Sequence, residues 1–351
     1  MQTTMILTGD INLMGLADPA VPFSRVAGTF KAADVVFGNL ECCLYQPPGV
    51  LDITEGESAG YEGFYAPPAA GQALQLAGYH GVGNANNQNY GAEAIMTSNA
   101  NLDALGIAHT GTGENIAAAR APVVLERKGV RCGFIQRTSQ YWPNNHEAGK
   151  KFPGVAVMKA HTAYQPRVYK DGKPPPNRPG APPLVITWMD PDYLQQLRQD
   201  IQGLRQQADI VVSSHHWGYG DKVLQYQTEM GRAAIDAGAD VVMGHGPHHA
   251  LGIEIYKGKP IFYGLGSFCF YRSYKKRHLN WVGMMARITF TDKQISKIGF
   301  SLVRQEDNTE IVMRLIADEA ETVAHLEEMS QQFGSQFERS ADEVIVRSGN
   351  G

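Results

Sequence analysis

The sequence has 351 residues, a formal net charge of −4 and a hydrophobic content of 43%. The lack of a basic surplus argues against nucleic acid as the main partner, and no run reaches the 18 apolar residues of a membrane span. Length and composition are typical of one sizeable globular domain, which we place at residues 1–315, with a C-terminal helix and tail at 316–351.

Short apolar runs in the first quarter of the chain end in polar residues. They occur in the segments MILTGD, VVFGNLE and VGNANN, which place Asp10, Glu41 and Asn87 at or just beyond a strand end. Such runs are typical of buried parallel strands, and open α/β sheets bind ligands at the carboxyl ends of these strands. We therefore predict that the three ends supply oxygen donors to one site.

Between the strands, apolar residues at helical spacing predict four helices, at Ala69–Ala77, Ala92–Leu105, Asp192–Gln207 and Gln227–Ala237. Val123–Glu126 and Val130–Ile135 are predicted to pair as a hairpin around Lys128-Gly129. The alternation of strands and helices indicates an α/β fold.

A proline-rich segment, DGKPPPNRPGAPP, occupies residues 171–183. Its prolines lack a backbone N–H donor, so the segment cannot form a helix or a central strand. We interpret it as a surface loop, and an inserted connection is favoured over a lid or a docking segment.

Two later apolar runs, Ile210–Val212 and Val241–Met243, end in histidines. Five of the eleven histidines lie between His215 and His249. Neutral imidazole is a common ligand of Zn, Mn and Fe. With the oxygen donors of the earlier strands, these histidines predict a transition-metal site.

The chain closes with a predicted amphipathic helix from about residue 317. Its apolar residues recur at helical spacing, at Val323, Leu326, Met329 and Phe333. Such a stripe indicates docking either on the domain or on a second subunit. In the second case the protein would be a homo-oligomer.

Seven motifs occur in order between residues 9 and 268: GDINLMG, GNLE, NANNQNYG, GTGEN, HHWGYGD, GHGPHHALGIE and YGLGSF. From residue 4 to about 305 the chain resembles the poly-γ-glutamate capsule biosynthesis (CapA-like) family, a branch of the calcineurin-like metallophosphoesterase superfamily. The resemblance implies a four-layer αββα sandwich of the calcineurin-like type, with a dinuclear metal centre at the strand ends.

The resemblance also implies roles for particular residues. The ligands of one or two divalent ions (Mn, Zn or Fe) would be Asp10, Glu41 as the bridging carboxylate, Asn87, His216, His245 and His248. The residues expected around these ligands are Asn12, Glu254 and Ser267.

The chain departs from the family pattern at the family's Asn-Asn-His, which is Asn86-Asn87-Gln88 here. In phosphoesterases of the superfamily this histidine is thought to protonate the leaving group, and Gln88 cannot exchange a proton near neutral pH. Ordinary phosphoester cleavage is therefore in question, and His215 and His249 become the candidate proton donors.

These features predict a metal-dependent hydrolase. Its metal-activated water would attack an amide, ester or phosphoester bond of an anionic, carboxylate-bearing substrate, either a small molecule or peptide-like. Two alternatives stay open. One is a metal-assisted epimerase or isomerase that abstracts a proton next to a carbonyl, and the other is a non-catalytic factor that handles a poly-γ-glutamate-type polymer.

The sequence enters its first predicted strand by about residue 4, without a signal peptide or the N-terminal anchor that relatives often carry. The four cysteines form no C-x-x-C pair, and we interpret them as free thiols that behave as small buried hydrophobes. We therefore expect a cytoplasmic protein.

Overall fold

The computed structural model describes residues 1–48, 65–166, 182–270, 281–307 and 309–349. The proline-rich segment predicted as a loop at 171–183 lies outside these residues, except for its last two prolines.

The described ranges contain strands of very different length. They are β1 (Gln2–Asn12), β2 (Val35–Leu40), β3 (Cys43–Leu44), β4 (Tyr65–Ala66), β5 (Gly81–Gly83), β6 (Ala108–Thr110), β7 (Thr112–Gly113), β8 (Val123–Arg127), β9 (Val130–Thr138), β10 (Gly154–Val155), β11 (Ala160–Gln165), β12 (Leu184–Met189), β13 (Ile210–His216), β14 (Val241–His245), β15 (Ile253–Tyr256), β16 (Lys259–Phe262), β17 (Ser267–Phe270), β18 (Gly283–Thr291), β19 (Gln294–Gln305), β20 (Ile311–Met313), β21 (Ser335–Arg339) and β22 (Val344–Ser348). The α-helices are α1 (Ala27–Lys31), α2 (Gln72–Ala77), α3 (Ala92–Ala104), α4 (Ile116–Arg120), α5 (Pro191–Arg205), α6 (Gln225–Ala237) and α7 (Ala320–Gln331).

Most strands belong to two sheets. The first has the order β21-β22-β19-β18-β1-β2-β5-β6, with β17 also on β1 and β20 also on β19. The second has the order β15-β16-β14-β13-β9-β8. β1, β2, β5 and β6 run parallel in the first sheet, as do β16, β14, β13 and β9 in the second. Each sheet therefore has a group of carboxyl strand ends at one edge.

The two sheets face each other across an apolar core. Along β1, Met5 and Leu7 point into this inner core, while Ile6 points to the outer face of the first sheet. Along β13, Val212 points into the inner core and Val211 to the outer face of the second sheet. Strands that bury both faces must be apolar without interruption, which explains the runs seen in the sequence.

Helices cover both outer faces. Phe30 of α1 and Leu74 of α2 pack on the first sheet, and Leu197 of α5 and Met230 of α6 pack on the second. The layers are therefore helix, sheet, sheet and helix. The four-layer αββα sandwich expected from the sequence is confirmed.

The predicted helices and hairpin are present, with small differences at their ends. The first predicted helix begins as a 3₁₀ turn at Pro68–Gly71 and becomes α2 at Gln72. β8 and β9 pair antiparallel around Lys128 and Gly129, which both have positive φ, at 50° and 70°. Two such residues are typical of a type I′ hairpin turn.

The C-terminal region differs from a helix with a tail. After α7 the chain forms the hairpin β21–β22, and β22 pairs with β19 in the first sheet. Val323 and Leu326 of α7 lie in the core between the sheets, and Phe333 packs on Tyr263 with ring centroids 5.0 Å apart. The apolar stripe of α7 therefore docks on its own domain.

All four cysteines are buried and free, as predicted. Burial raises the pKa of the Cys42 thiol to about 12, which keeps it protonated near neutral pH. None of the helices in the described part of the chain combines the length and hydrophobicity needed to cross a bilayer.

Candidate metal centre

Strand ends from both sheets meet at one buried point. Asp10 lies near the end of β1, His216 is the last residue of β13 and His245 is the last residue of β14. All three side chains are fully buried. The backbone N–H of Gly246 donates to Asp10 Oδ2 at 3.1 Å, which ties the second sheet to the first at this point.

Three ligating atoms form a first cluster. Asp10 Oδ1 lies 3.6 Å from His245 Nδ1 and 3.8 Å from His216 Nδ1, and the two Nδ1 atoms are 3.2 Å apart. Ligands about 2.1 Å from a tetrahedral ion lie about 3.4 Å from one another. The spacing of the cluster therefore fits one divalent ion.

The other nitrogen of each histidine meets an oxygen. His216 Nε2 lies 2.9 Å from Asn87 Oδ1, and His245 Nε2 lies 2.9 Å from Ser214 Oγ. When these Nε2 atoms carry the proton and donate it, both Nδ1 lone pairs face Asp10. Such an outer hydrogen bond is what metal-binding histidines usually make.

A second cluster shares Asp10 with the first. Asp10, Glu41 and His248 each place a ligating atom within 4.8 Å of the other two. His248 Nδ1 lies 3.1 Å from Asp10 Oδ2, and His248 Nε2 lies 3.8 Å from Glu41 Oε1. The residue common to both clusters is Asp10, whereas the family resemblance gives the bridging role to Glu41. That role of Glu41 stays a prediction.

His248 is held in an unusual conformation. Its φ is +62°, in the left-handed region that non-glycine residues rarely adopt. Its ring stacks on Trp281, with centroids 5.1 Å apart, and meets the edge of Phe270 at 5.0 Å. Ser267 Oγ lies 3.2 Å from its Nδ1, so the structure places this predicted neighbour directly against His248. Backbone strain of this kind is concentrated at functional sites.

The electrostatics of the cluster suit metal binding. Burial holds the pKa of His216 well below its ordinary value, and burial with the nearby charge of His248 lowers the pKa of His245 to about 3. Burial alone would raise the pKa of Asp10, but the hydrogen bond and charge of His248, the charge of His216 and the Asn39 hydrogen bond together lower it. These shifts favour neutral imidazoles at His216 and His245 and an ionised carboxylate at Asp10, which are the forms that bind metal.

The loop after β5 lies beside the first cluster. Asn87 contacts His216 through its side chain, and its backbone carbonyl accepts a 2.8 Å hydrogen bond from Trp142 Nε1. Gln88 is 8% exposed, and its Oε1 has no hydrogen-bond partner among the described residues. Asn12 donates to the Glu41 carbonyl at 2.9 Å, so it holds the backbone of a predicted ligand.

Two predicted residues point away from the clusters, and a third, His249, is placed beside them by its sequence position only. His215 points to the outer face of β13, where its ring stacks on Trp217 and its Nε2 lies 2.9 Å from Ser213 Oγ. Glu254 accepts hydrogen bonds from Arg232 and Tyr263, not from a ligand histidine. His249 is exposed, next to His248. The positions of His215 and Glu254 give no support to the roles expected of them, because strand alternation and the Arg232 pairing direct both away from the cluster.

Two buried carboxamides beside Asp10 were not among the residues predicted from the sequence. Asn39 donates to Asp10 Oδ1 at 2.8 Å, and Gln136 donates to Asn39 Oδ1 at 2.7 Å. Both are fully buried. The available signal was an uncharged polar residue at a core-facing position of an apolar strand.

Comparisons with known proteins agree with the family resemblance seen in the sequence motifs. The family model described as Bacterial capsule synthesis protein PGA_cap matches residues 4–272. The uncharacterized protein y4uA of Sinorhizobium fredii is 30% identical over 305 residues, which cover 76% of this chain and 65% of that protein. The capsule biosynthesis protein CapA of Bacillus anthracis is 26% identical over 282 residues, which cover 76% of this chain and 59% of that protein. The chain thus spans less than two thirds of the length of these relatives.

Among solved structures, Haemophilus influenzae NAD nucleotidase (NadN) aligns with a TM-score of 0.42 and 12% identity, over 94% of this chain and 56% of that one. At that score the likeness carries no argument about activity. The family match, by contrast, includes every strand end that forms the two clusters. The chain belongs to the bacterial capsule synthesis protein (PGA_cap) family.

Proposed function

We propose that the protein is a metal-dependent hydrolase with two divalent ions. The ligands would be Asp10, Glu41, His216, His245 and His248, with Asn87 beside them. The observation that carries the proposal is the pair of clusters that share Asp10. A carboxylate between two groups of N and O donors is an arrangement suited to two ions.

When bound, such ions lower the pKa of a water molecule to near 7 and polarise the bond under attack. The residues of the chain prepare this chemistry. Asn87 and Ser214 orient the two imidazoles of the first cluster. The complete burial of Asp10, His216 and His245 keeps competing water away from the ligand atoms and strengthens their electrostatic effect.

The names of the relatives support a proposal for the substrate class. Besides the capsule biosynthesis protein of Bacillus anthracis, a probable polyglutamine synthesis accessory protein of Mycobacterium tuberculosis is 29% identical over 182 residues. We therefore propose an anionic, peptide-like substrate in which water cleaves an amide bond. Its carboxylates would be attracted by the positive charge of the loaded site.

Amide cleavage requires a proton for the leaving nitrogen. Gln88 cannot supply it, and His215 lies on the far face of β13. His249, the remaining predicted donor, is exposed and follows the proposed ligand His248 in the sequence, so we propose it as the proton donor.

The test uses purified protein stripped with EDTA and reloaded with Mn, Zn or Fe. Hydrolysis of a short γ-linked glutamate peptide should require the metal. His249→Ala should retain its metal but lose hydrolysis by about 100- to 10,000-fold. Hydrolysis that persists without metal would contradict the proposal, and turnover at the wild-type rate in His249→Ala would remove His249 from it.

The Gln88 substitution also favours a second candidate. In a proton-transfer enzyme, such as an epimerase or isomerase, no leaving group needs a proton. A side chain that does not titrate at this position would therefore not slow the reaction. Incorporation of solvent deuterium next to a substrate carbonyl, without cleavage, would select this reaction. Metal binding without either reaction would leave the non-catalytic role in polymer handling.

A further inference from the structure

A chain of two carboxamides joins the second sheet to Asp10. Gln136 lies on β9 of the second sheet, and Asn39 lies on β2 of the first. Gln136 Nε2 donates to Asn39 Oδ1 at 2.7 Å, and Asn39 Nδ2 donates to Asp10 Oδ1 at 2.8 Å. All three side chains are fully buried.

The direction of each hydrogen bond is fixed by the surroundings. Asn39 Oδ1 also accepts from Asn86 Nδ2 at 3.1 Å, so a reversed Asn39 would place its amino group against two donors. Gln136 Nε2 also donates to the Ala85 carbonyl at 3.1 Å, so a reversed Gln136 would place an oxygen against two acceptors. The N–H of Asn39 therefore faces Asp10.

The hydrogen bond from Asn39, which Gln136 holds in place, fixes the plane of the Asp10 carboxylate together with a backbone N–H. Asn39 binds Oδ1, the oxygen of the first cluster, and the Gly246 N–H binds Oδ2, the oxygen of the second. Rotation of the carboxylate would break both hydrogen bonds. Each oxygen is thus directed to its own group of ligand atoms.

The fold makes room for Gln136 at a specific glycine. A Cβ built on Gly83 of β5 would lie 1.3 Å from Gln136 Oε1 and 2.3 Å from its Cδ. Gln136 Oε1 has no hydrogen-bond partner among the described residues. A buried acceptor without a partner destabilises the fold. The favourable contribution of Gln136 therefore comes from the two hydrogen bonds that it donates.

We propose that Asn39 and Gln136 are positioning residues that set the orientation of Asp10 for metal binding. This inference rests on the proposed metal centre. Residues that orient metal ligands typically contribute 10- to 100-fold to metal affinity. Although Gln136 contacts no proposed ligand directly, its removal should weaken metal binding by this factor.

The test measures the Kd of the metal-free protein for Mn²⁺ and Zn²⁺ by titration calorimetry. Gln136→Met removes both donated hydrogen bonds at similar volume. Gly83→Ala displaces the same carboxamide without changing any polar group. The matched control is Asn99→Leu, which removes another buried carboxamide, hydrogen-bonded to Asn84 and Thr112.

We expect a Kd about 10- to 100-fold higher in Gln136→Met and in Gly83→Ala, and a wild-type Kd in Asn99→Leu, even where the Tm values fall alike. Wild-type affinity in either of the first two variants, once folded, would overturn the inference while the metal centre stands. Equal loss of affinity in Asn99→Leu would also overturn it, because the effect would then be one of stability. A wild-type protein that binds neither ion would overturn the proposed function and the inference together.

Discussion

At the residue scale, the neighbouring histidines His215 and His216 show how strand geometry separates two roles. Successive side chains of a strand point to opposite faces. His216 therefore meets Asp10 and His245, while His215 packs on Trp217. The sequence places both histidines at the strand end, and only the direction of the inner face distinguishes them.

The Gln88 position can be tested by restoring an imidazole. Gln88→His should accelerate the cleavage of alkyl phosphates and other substrates with poor leaving groups, by about 100- to 10,000-fold, because a general acid becomes available. Steady-state kinetics of the metal-loaded variant measure the change. A wild-type protein that already cleaves such substrates efficiently would show that another group donates the proton.

His215 should make the stability of the metal-free protein depend on pH. Burial, with the charges of His245 and Arg137, holds its pKa well below the ordinary value. As pH falls through about 6.5, the unfolded chain binds a proton that the folded state does not, so stability decreases by about 1.4 kcal/mol per pH unit for this group.

Urea denaturation of wild type and His215→Leu between pH 7.5 and 5.5 measures this contribution. The variant should lose stability less steeply as the pH falls. An unchanged slope would show that His215 takes up its proton in the folded protein.

At the scale of elements, much of the fold could be predicted from the sequence. Uninterrupted apolar runs located β1, β2, β13 and β14, and helical spacing located α3, α5 and α6, because burial on both faces or on one face leaves a periodic pattern. The hairpin β21–β22 was missed. β21 (SQFER) contains only one apolar residue, and Val344 and Val346 of β22 gain a buried face only in the sheet formed with β19.

Helix α7 provides a test of how the C-terminal region is held. Leu326 is buried in the core between the sheets, so Leu326→Ala should lower the free energy of unfolding by about 2–5 kcal/mol. Glu328→Ala, on the exposed side of the same helix, should change it by less than about 0.5 kcal/mol. Chemical denaturation measures both.

If α7 instead docked on a second subunit, the Leu326→Ala protein would keep its monomer stability. It would differ from wild type only in the concentration dependence of unfolding.

At the scale of the whole molecule, the candidate site exists only where the two sheets meet. Asp10 comes from the first sheet and His216 and His245 from the second. The sequence predicted which strand ends supply donors, because the residue types are visible there. It could not predict that Gln136 crosses between the sheets to reach Asn39, because that contact depends on how the sheets stack.

The central claim is that converging strand ends hold divalent metal ions, and metal analysis of purified protein tests it most directly. Elemental mass spectrometry of wild type, His216→Ala and His215→Ala compares two adjacent histidines of one strand. We predict one or two transition-metal ions per chain in wild type and in His215→Ala, and the loss of at least one ion in His216→Ala. Metal content that is unchanged in His216→Ala, or that is lost equally in both variants, would contradict the proposed centre.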